Sequence, residues 1–426
     1  MRKLLILSVL LAALSALPFG CSPDDYADEH TVHLDFSADT VSFDTVFTTL
    51  GTATRQLRVY NRSSHNIELG SVTLKHGRQS RFRLNVDGDT SMVAHHIELQ
   101  AGDSMFIFIQ ACIDPDGSNQ PFLRTDSIVF SNGQYVSLMA YGRNAVYHKV
   151  DSGWFSRIDC AAWDHSRPHV FLGPAAVMEG NTLVLRAGDE LYFADGAMLI
   201  IDSMATLDAR GSAEQPVRFT ALRQEEWYRN LPGQWQTLWL YNYSTANVID
   251  HAVIENGTAG LRCYPMSQLT LSNTVIRNMS DAGLVGQNAT VACNNVLVYD
   301  CHSALALIGG GDYTFAASTF ADYWSYRSRS RDTAAVIISN YYYLEDGSYT
   351  GADMQRANFT NCIVYGSRSS EVAISSMPPL AMHYAFDHCL VRGGEWDEDP
   401  LFEDVDEDNY RLKDNSPAKG IGYQYQ

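Results

Sequence analysis

Short strand-forming segments return along the second half of the chain at a near-constant interval. Ser272–Ile276 (SNTVI) comes back as Cys293–Leu297 (CNNVL), Ala316–Phe320 (AASTF), Thr360–Val364 (TNCIV) and Asp387–Val391 (DHCLV). The earlier Asp250–Ile254 (DHAVI) keeps the same register, and Ala-Gly-Leu at Ala259 and Ala282 is echoed by Ser-Ala-Leu at Ser303. An interval of roughly 21 to 23 residues lies in the range that marks a solenoid. Upstream, Thr182–Leu185, Leu191–Phe193, Met198–Ile201, Ala205–Leu207 and Val217–Thr220 are separated by Gly or Asp turns. Alternate residues of such strands face a shared lumen, and a single coil cannot bury its own inner face, so neighbours must stack about 4.8 Å apart.

The same stacking predicts columns of like residues. Asn273, Asn294 and Asn361 are expected in one, bonded coil to coil, and Asn256, Asn278, Asp300 and Asp322 in another, at a turn. Cys362 and Cys389 take equivalent positions, where other coils carry Thr274, Asn295 and Ser318. They are either small buried side chains or a disulfide between adjacent coils. Tyr323 to Asn358 interrupts the rhythm with Arg327, Arg329, Arg331 and Tyr341–Tyr343, which predicts one irregular coil with an excursion. The acidic tail, Trp396 to Gly420, is expected to cap the open apolar end.

From Val32 to His148 the alternation is that of an all-β sandwich. Val41–Leu50, Gln56–Tyr60, Ile67–Leu74, Phe82–Val86, Ser104–Cys112, Asp126–Phe130 and Tyr135–Tyr141 are strand-like, with polar turns between them. The expected plan is a leader at 1–20, a tether at 21–31, the sandwich at 32–148, a connector at 149–176 and the solenoid with its cap at 177–426.

At 426 residues, a formal charge of −19 argues against nucleic-acid binding, because a phosphate-binding surface must be basic. Arg2 and Lys3, an apolar run from Leu4 to Phe19, and Gly20-Cys21 form a processing signal rather than a lasting membrane span. A small residue directly before Cys21 points to lipidation there, against an ordinary leader cut near Gly20. No Cys or His spacing suits zinc, and Asp114–Asn119 lacks the closing Glu of a calcium loop.

Two chemistries compete. A hydrolase needs paired carboxyls, for which Asp300 and Asp322 are the candidates; a lyase needs a cationic base, and the regular coils offer Arg262 and Arg277. Calcium enters only with that enzyme reading, so no cofactor is expected. A binding face needs exposed rings, for which Trp227, Trp235, Trp239, Tyr341, Tyr342 and Tyr343 are the candidates. Trp235 and Trp239 could instead fill the lumen or cover a sheet.

The run Ala187-Gly188-Asp189, then Gly211 and Gln215-Pro216-Val217-Arg218-Phe219-Thr220, resembles right-handed parallel β-helices of the pectate-lyase-like superfamily. Asn361–Gly366 and the tail with Asp399-Pro400-Leu401-Phe402 and Asn409-Tyr410-Arg411-Leu412 add to that likeness. Ser22-Pro23-Asp24-Asp25, Phe43–Phe47 and Ala140-Tyr141-Gly142 resemble lipid-anchored surface lipoproteins of Bacteroidetes that carry an Ig-like sandwich. The resemblance implies this architecture and a place on the outer membrane facing the cell exterior, and it carries no activity. The expectation drawn from the residues is a monomeric, non-enzymatic protein that binds glycan or another surface protein; the alternative is a polysaccharide lyase or glycoside hydrolase.

Overall fold

The fold is that of a computed structural model, which describes residues 26–52, 54–324 and 331–425. The chain divides between Asn144 and Ala145 into two units. The apolar run Leu4–Phe19, Cys21, Arg327 and Arg329 lie outside the described residues. All regular structure among the described residues is β, apart from three short 3-10 turns.

In the first unit Ser104–Ala111 (SMFIFIQA) sets the pattern. Met105, Ile107, Ile109 and Ala111 are buried while Phe106 and Phe108 face solvent, as strand alternation requires. This strand sits in a four-stranded sheet with Asp35–Phe36, Arg55–Tyr60 and Phe82–Val86. A six-stranded sheet holds Tyr26–Ala27, Thr40–Phe47, Asn66–Leu74, Val93–Leu99, Phe122–Phe130 and Tyr135–Arg143. Both sheets contribute to one apolar cluster that includes Leu57, Ile67, Ile107, Ile128 and Leu138. Val93–Leu99 was not expected as a strand: His95 and His96 break its alternation, and His96 is left-handed at φ 53°. The carboxylates of the Asp114–Asn119 turn are held by Arg81, Arg124 and the Ser118 amide, as in a local hairpin turn.

The second unit is one 21-stranded sheet system wound as a parallel solenoid. Pairing begins at Val146–His148 against His169–Phe171, so most of the expected connector already belongs to the coils. Three parallel ladders run along it. The first passes through Glu190–Phe193, Val217–Ala221, Ala252–Glu255, Thr319–Asp322, Ile363–Gly366 and Leu390–Val391. The second passes through Leu199–Ile201, Leu238–Leu240, Ala259–Cys263, Val336–Ser339 and Val372–Ser375. The third passes through Thr182–Arg186, Thr206–Arg210, Asn247–Asp250, Met354–Thr360 and Ala385–Asp387. Gln268–Ala316 supplies the middle coils to all three as one continuous ribbon.

The ribbon turns by placing one residue per corner in the left-handed region. His251, Asn273, Asn295, Ala317, Asn361 and His388 (φ 45–56°) do so between the third and first ladders. Asn256, Asn278 and Asp300 do so between the first and second. Asn is favoured there because its short side chain tolerates this backbone. Asn278 Nδ2 donates to Asn256 Oδ1 at 3.2 Å, and Asn295 Nδ2 donates to Asn273 Oδ1 at 3.0 Å. The ladder therefore uses Asn295, not the expected Asn294. Cys293-Asn294-Asn295-Val296 is displaced by one residue, which puts Val296 beside Ser318. Sequence similarity alone could not resolve two adjacent asparagines.

Apolar groups fill the lumen in rows. His148, Phe171, Phe193 and Trp235 stack ring on ring at 4.4–4.7 Å, and Phe315, Phe359 and Phe386 form a second stack at 4.6–4.7 Å. Cys362 and Cys389 are buried in an inner column as free thiols, with the Cys389 sulfur accepting the Cys362 amide at 3.3 Å. The tail does not cap the end. It lies along the outer flank of the first ladder, where Phe402, Tyr410, Ala418 and Ile421 cover Leu297, Tyr299, Ile363 and Leu390. Arg277 bridges Glu255 and Asp408 there, at 2.7 and 3.1 Å. An outward row of Leu, Tyr and Ile is itself an apolar face that needs cover, and it takes the tail before the lumen mouth does.

Candidate functional site

Each coil leaves the second ladder through the same corner, and its residues decide what that edge presents. The strands end Ile201, Leu240 and Cys263; two coils then run Tyr241-Asn242-Tyr243 and Tyr264-Pro265-Met266. Met204, Tyr243 and Met266 occupy the left-handed corner position at φ 57°, 63° and 64°. Gly180 and Asn288, which favour this backbone, hold the position on the flanking coils. For a bulky residue the left-handed region carries a penalty of roughly 1–2 kcal/mol. Burial does not offset it, since the three side chains are 56–58% exposed. Strain held in place without a packing return is a mark of function.

Beside this edge lies a ring cluster. Trp239 points outward from the second ladder, edge-on to Tyr241 at 5.6 Å and to Tyr264 at 5.1 Å, and the two tyrosines lie 6.4 Å apart. Polar groups surround it. Asn242 Oδ1 is buried without a partner, Thr245 donates to Gln268 at 3.1 Å, and Arg262 pairs with Asp281 on the same face. The Tyr341–Tyr343 strand pairs with Tyr349–Gly351 as a hairpin that leaves the coil. Its Tyr342 ring rests against Gly309, where a Cβ would approach within 2.9 Å. Tyr343 and Tyr349 are exposed.

The other ring candidates separate. Trp235 is a correction: it is fully buried, stacked on Phe193 at 4.4 Å, with Nε1 donating to the Glu255 carbonyl at 2.8 Å. It enters the lumen from the irregular connection before Leu238–Leu240, where strand alternation does not set its direction, and continues the ring stack above Phe193. Trp227 is exposed on the 222–237 loop. Sequence reading missed Tyr241, Tyr243, Tyr264, Met204 and Met266. Their signal was the recurrence of tyrosine directly after a strand, with a second bulky residue two places on.

Asp300 and Asp322 are also a correction. Asp322 is fully buried, and Asp300 sits in the left-handed Asx corner with little exposure. Asp322 Oδ2 accepts Arg331 Nη1 at 3.1 Å, and the same guanidinium binds Glu371. Glu371 also accepts the Ala335 amide at 2.9 Å. Burial pushes the Asp322 carboxyl up to about 8, partly opposed by Arg331 and reinforced by Glu371 and Asp300. A single guanidinium between two sealed carboxylates favours a proton on one of them. The cluster is buried from solvent and ties the coil after Asp322 to the strand that follows Glu371. Arg262 and Arg277 are tied in ion pairs, and among the described residues no group of three or more His, Cys, Asp or Glu is arranged to hold a metal.

No family profile matches the chain, and no curated protein matches it. Among solved structures, the chain is similar to the catalytic unit of a GH87 α-1,3-glucanase from Streptomyces thermodiastaticus strain HF3-3. That match has 11% identity, a TM-score of 0.36, and covers 78% of this chain and 66% of that one. A GH87 α-1,3-glucanase catalytic domain in complex with tetrasaccharides matches at 10% identity and TM-score 0.27, over 81% of this chain and 79% of that one. A family 123 glycoside hydrolase from Clostridium perfringens matches at 5% identity and TM-score 0.19, over 28% of this chain and 30% of that one.

Proposed function

We propose that this chain is a non-catalytic, lipid-anchored protein of the cell envelope that holds a glycan against the corner formed by Trp239, Tyr241, Tyr243 and Tyr264. One observation carries the binding site: bulky, exposed side chains on successive coils accept a strained backbone that Gly or Asn would relieve. Flat rings with hydrogen-bonding groups around them suit a sugar, whose apolar face stacks while its hydroxyls bond. The Tyr341–Tyr343 hairpin extends the surface. The sealed state of Asp300 and Asp322 argues against hydrolysis at the best carboxyl pair. The anchor at Cys21, the outer-membrane address and the outward orientation rest on the leader pattern and the lipoprotein resemblance.

The test is a panel of neutral and acidic polysaccharides assayed for retention, reducing ends and unsaturated products. Retention without turnover, lost on Tyr241→Ala/Tyr243→Asn, supports the proposal. Product release refutes the non-catalytic assignment. Absence of retention with capture of a defined envelope protein by the same corner moves the ligand from glycan to protein.

A further inference from the structure

Because the tail runs along the flank, the last coil meets solvent with its lumen open. Ile374 shows the consequence. It pairs in register with buried Ile338 and shares its inward phase, yet it is 41% exposed. A cleft of about 640 Å³ occupies this mouth, a size usual for small-ligand sites. Phe386, Cys389 and Val391 line its inner side, and these side chains close the packed lumen. The cleft is therefore blind: a polymer cannot thread through it, but a chain end can enter.

Its chemistry is that of a ring site. The Phe315–Phe359–Phe386 stack, its rings nearly parallel at 13° and 9°, stops at the cleft with Phe386 only partly covered. The next place in that stack is empty space about one stacking distance, ~4–5 Å, beyond Phe386. Tyr384 and Trp396 also line the cleft. The polar complement is mixed. His388 uses Nδ1 on Asn361 Oδ1 at 2.6 Å, which leaves Nε2 for another partner. Arg392 spends Nη1 on Tyr365 and Asp397, while its buried Nε has no partner. Glu395 adds a carboxylate. The lining thus carries one arginine and one glutamate, so its formal charges cancel. An anionic ring would meet Glu395 with Asp397 close by, and a cationic ring would meet Arg392.

We infer that the open mouth of the last coil is a second sugar site that takes the neutral terminal residue of a glycan chain, stacked on Phe386. The inference rests on the glycan reading of the corner, and extends it from retention along a chain to recognition of a chain end.

The experiment measures binding of neutral gluco-, manno-, galacto- and xylo-configured trisaccharides and of a galacturonic acid trimer to the whole protein by calorimetry. Two variants are compared: Tyr384→Ala/His388→Asn at the mouth, where Asn tolerates the left-handed backbone of His388, and Tyr241→Ala/Tyr243→Asn at the corner. Circular dichroism checks that both are folded. At least one neutral trimer is expected to bind, to lose tenfold or more in affinity in the mouth variant, and to keep its affinity in the corner variant. Long-chain retention should respond in the opposite way. Neutral-trimer affinity unchanged by the mouth substitutions overturns the inference, as does binding of the uronate alone. A dimer that dissociates in the mouth variant without any sugar effect makes this end a self-interface and also overturns it. If polymers are retained at the corner while no trimer binds, the mouth site falls and the corner stands. If nothing is retained, both fall.

Discussion

Replacing Trp235 with alanine should destabilise the coils around it without removing a ring of the binding face. The indole is fully buried, stacks on Phe193 at 4.4 Å and satisfies the Glu255 carbonyl through Nε1. Truncating a buried Trp or Phe costs about 3–5 kcal/mol. The orphaned carbonyl, worth about 1–3 kcal/mol by itself, places this site in the upper part of that range. We therefore expect a loss of about 4 kcal/mol, close to a thousandfold in the local opening constant. Native-state hydrogen exchange with mass spectrometry reads this coil by coil and does not require the two units to unfold together. Amides of Leu238–Leu240, Ala259–Cys263 and Ala252–Glu255 should exchange much faster, while those of Ser104–Ala111 stay as they were. Trp235→Phe keeps the ring and should lose only about 1–3 kcal/mol. Trp239→Ala, on the outer face, should disturb exchange less and glycan retention more. Acceleration below tenfold in Trp235→Ala, together with lost retention, would refute the placement of this ring in the lumen.

Met266→Asn should raise stability by about 1 kcal/mol through relief of left-handed strain and lower glycan retention at once; a fall in urea midpoint with unchanged retention would remove the functional reason for the strain. Asp322 has its folded carboxyl raised from 3.8 to about 8, so the folded state binds its proton more tightly and that stabilisation is lost as pH climbs through the window from about 4 to about 8. Urea titrations across this range should show a steeper decline for the natural chain than for Asp322→Asn, and parallel curves would contradict the buried-proton account. Cys21→Ala should move the protein from the membrane to the soluble fraction and abolish labelling by a fatty-acid probe; unchanged fractionation would dismiss the anchor.

The winding was legible because stacking repeats chemistry at a fixed interval. Asp250–Ile254, Ser272–Ile276 and Asp387–Val391 all begin at the same corner and enter the same ladder, as their spacing implied. The failures have local causes. Two adjacent asparagines hid a one-residue displacement at Asn295. An acidic tail with scattered apolar residues such as Leu401, Phe402 and Tyr410 reads equally well as an end cap or a flank strap, and only the outward row of Leu297, Tyr299 and Ile363 decides between them. Trp235 and Trp239 lie four residues apart, a spacing that does not reveal which faces inward while the connection before Leu238 is irregular. Asp300 and Asp322 share a column as expected, but Arg331, from an irregular stretch that carries no repeat, closes over Asp322 together with Glu371, which sits just before Val372–Ser375. The corner with Met204, Tyr243 and Met266 went unrecognised because its significance lies in backbone conformation.

Stacking of coils in one register underlies every placement above, and a cross-link tests it directly. In Cys112→Ser protein, Arg218→Cys with Val253→Cys puts two outward thiols on paired residues of adjacent coils, at a strand spacing within disulfide reach. Arg218→Cys with Ala252→Cys displaces the second thiol by one residue, into the lumen. Mild oxidation should bridge the first pair rapidly and leave the second reduced; equal yields from both, or a bridge only in the second, would contradict the solenoid register.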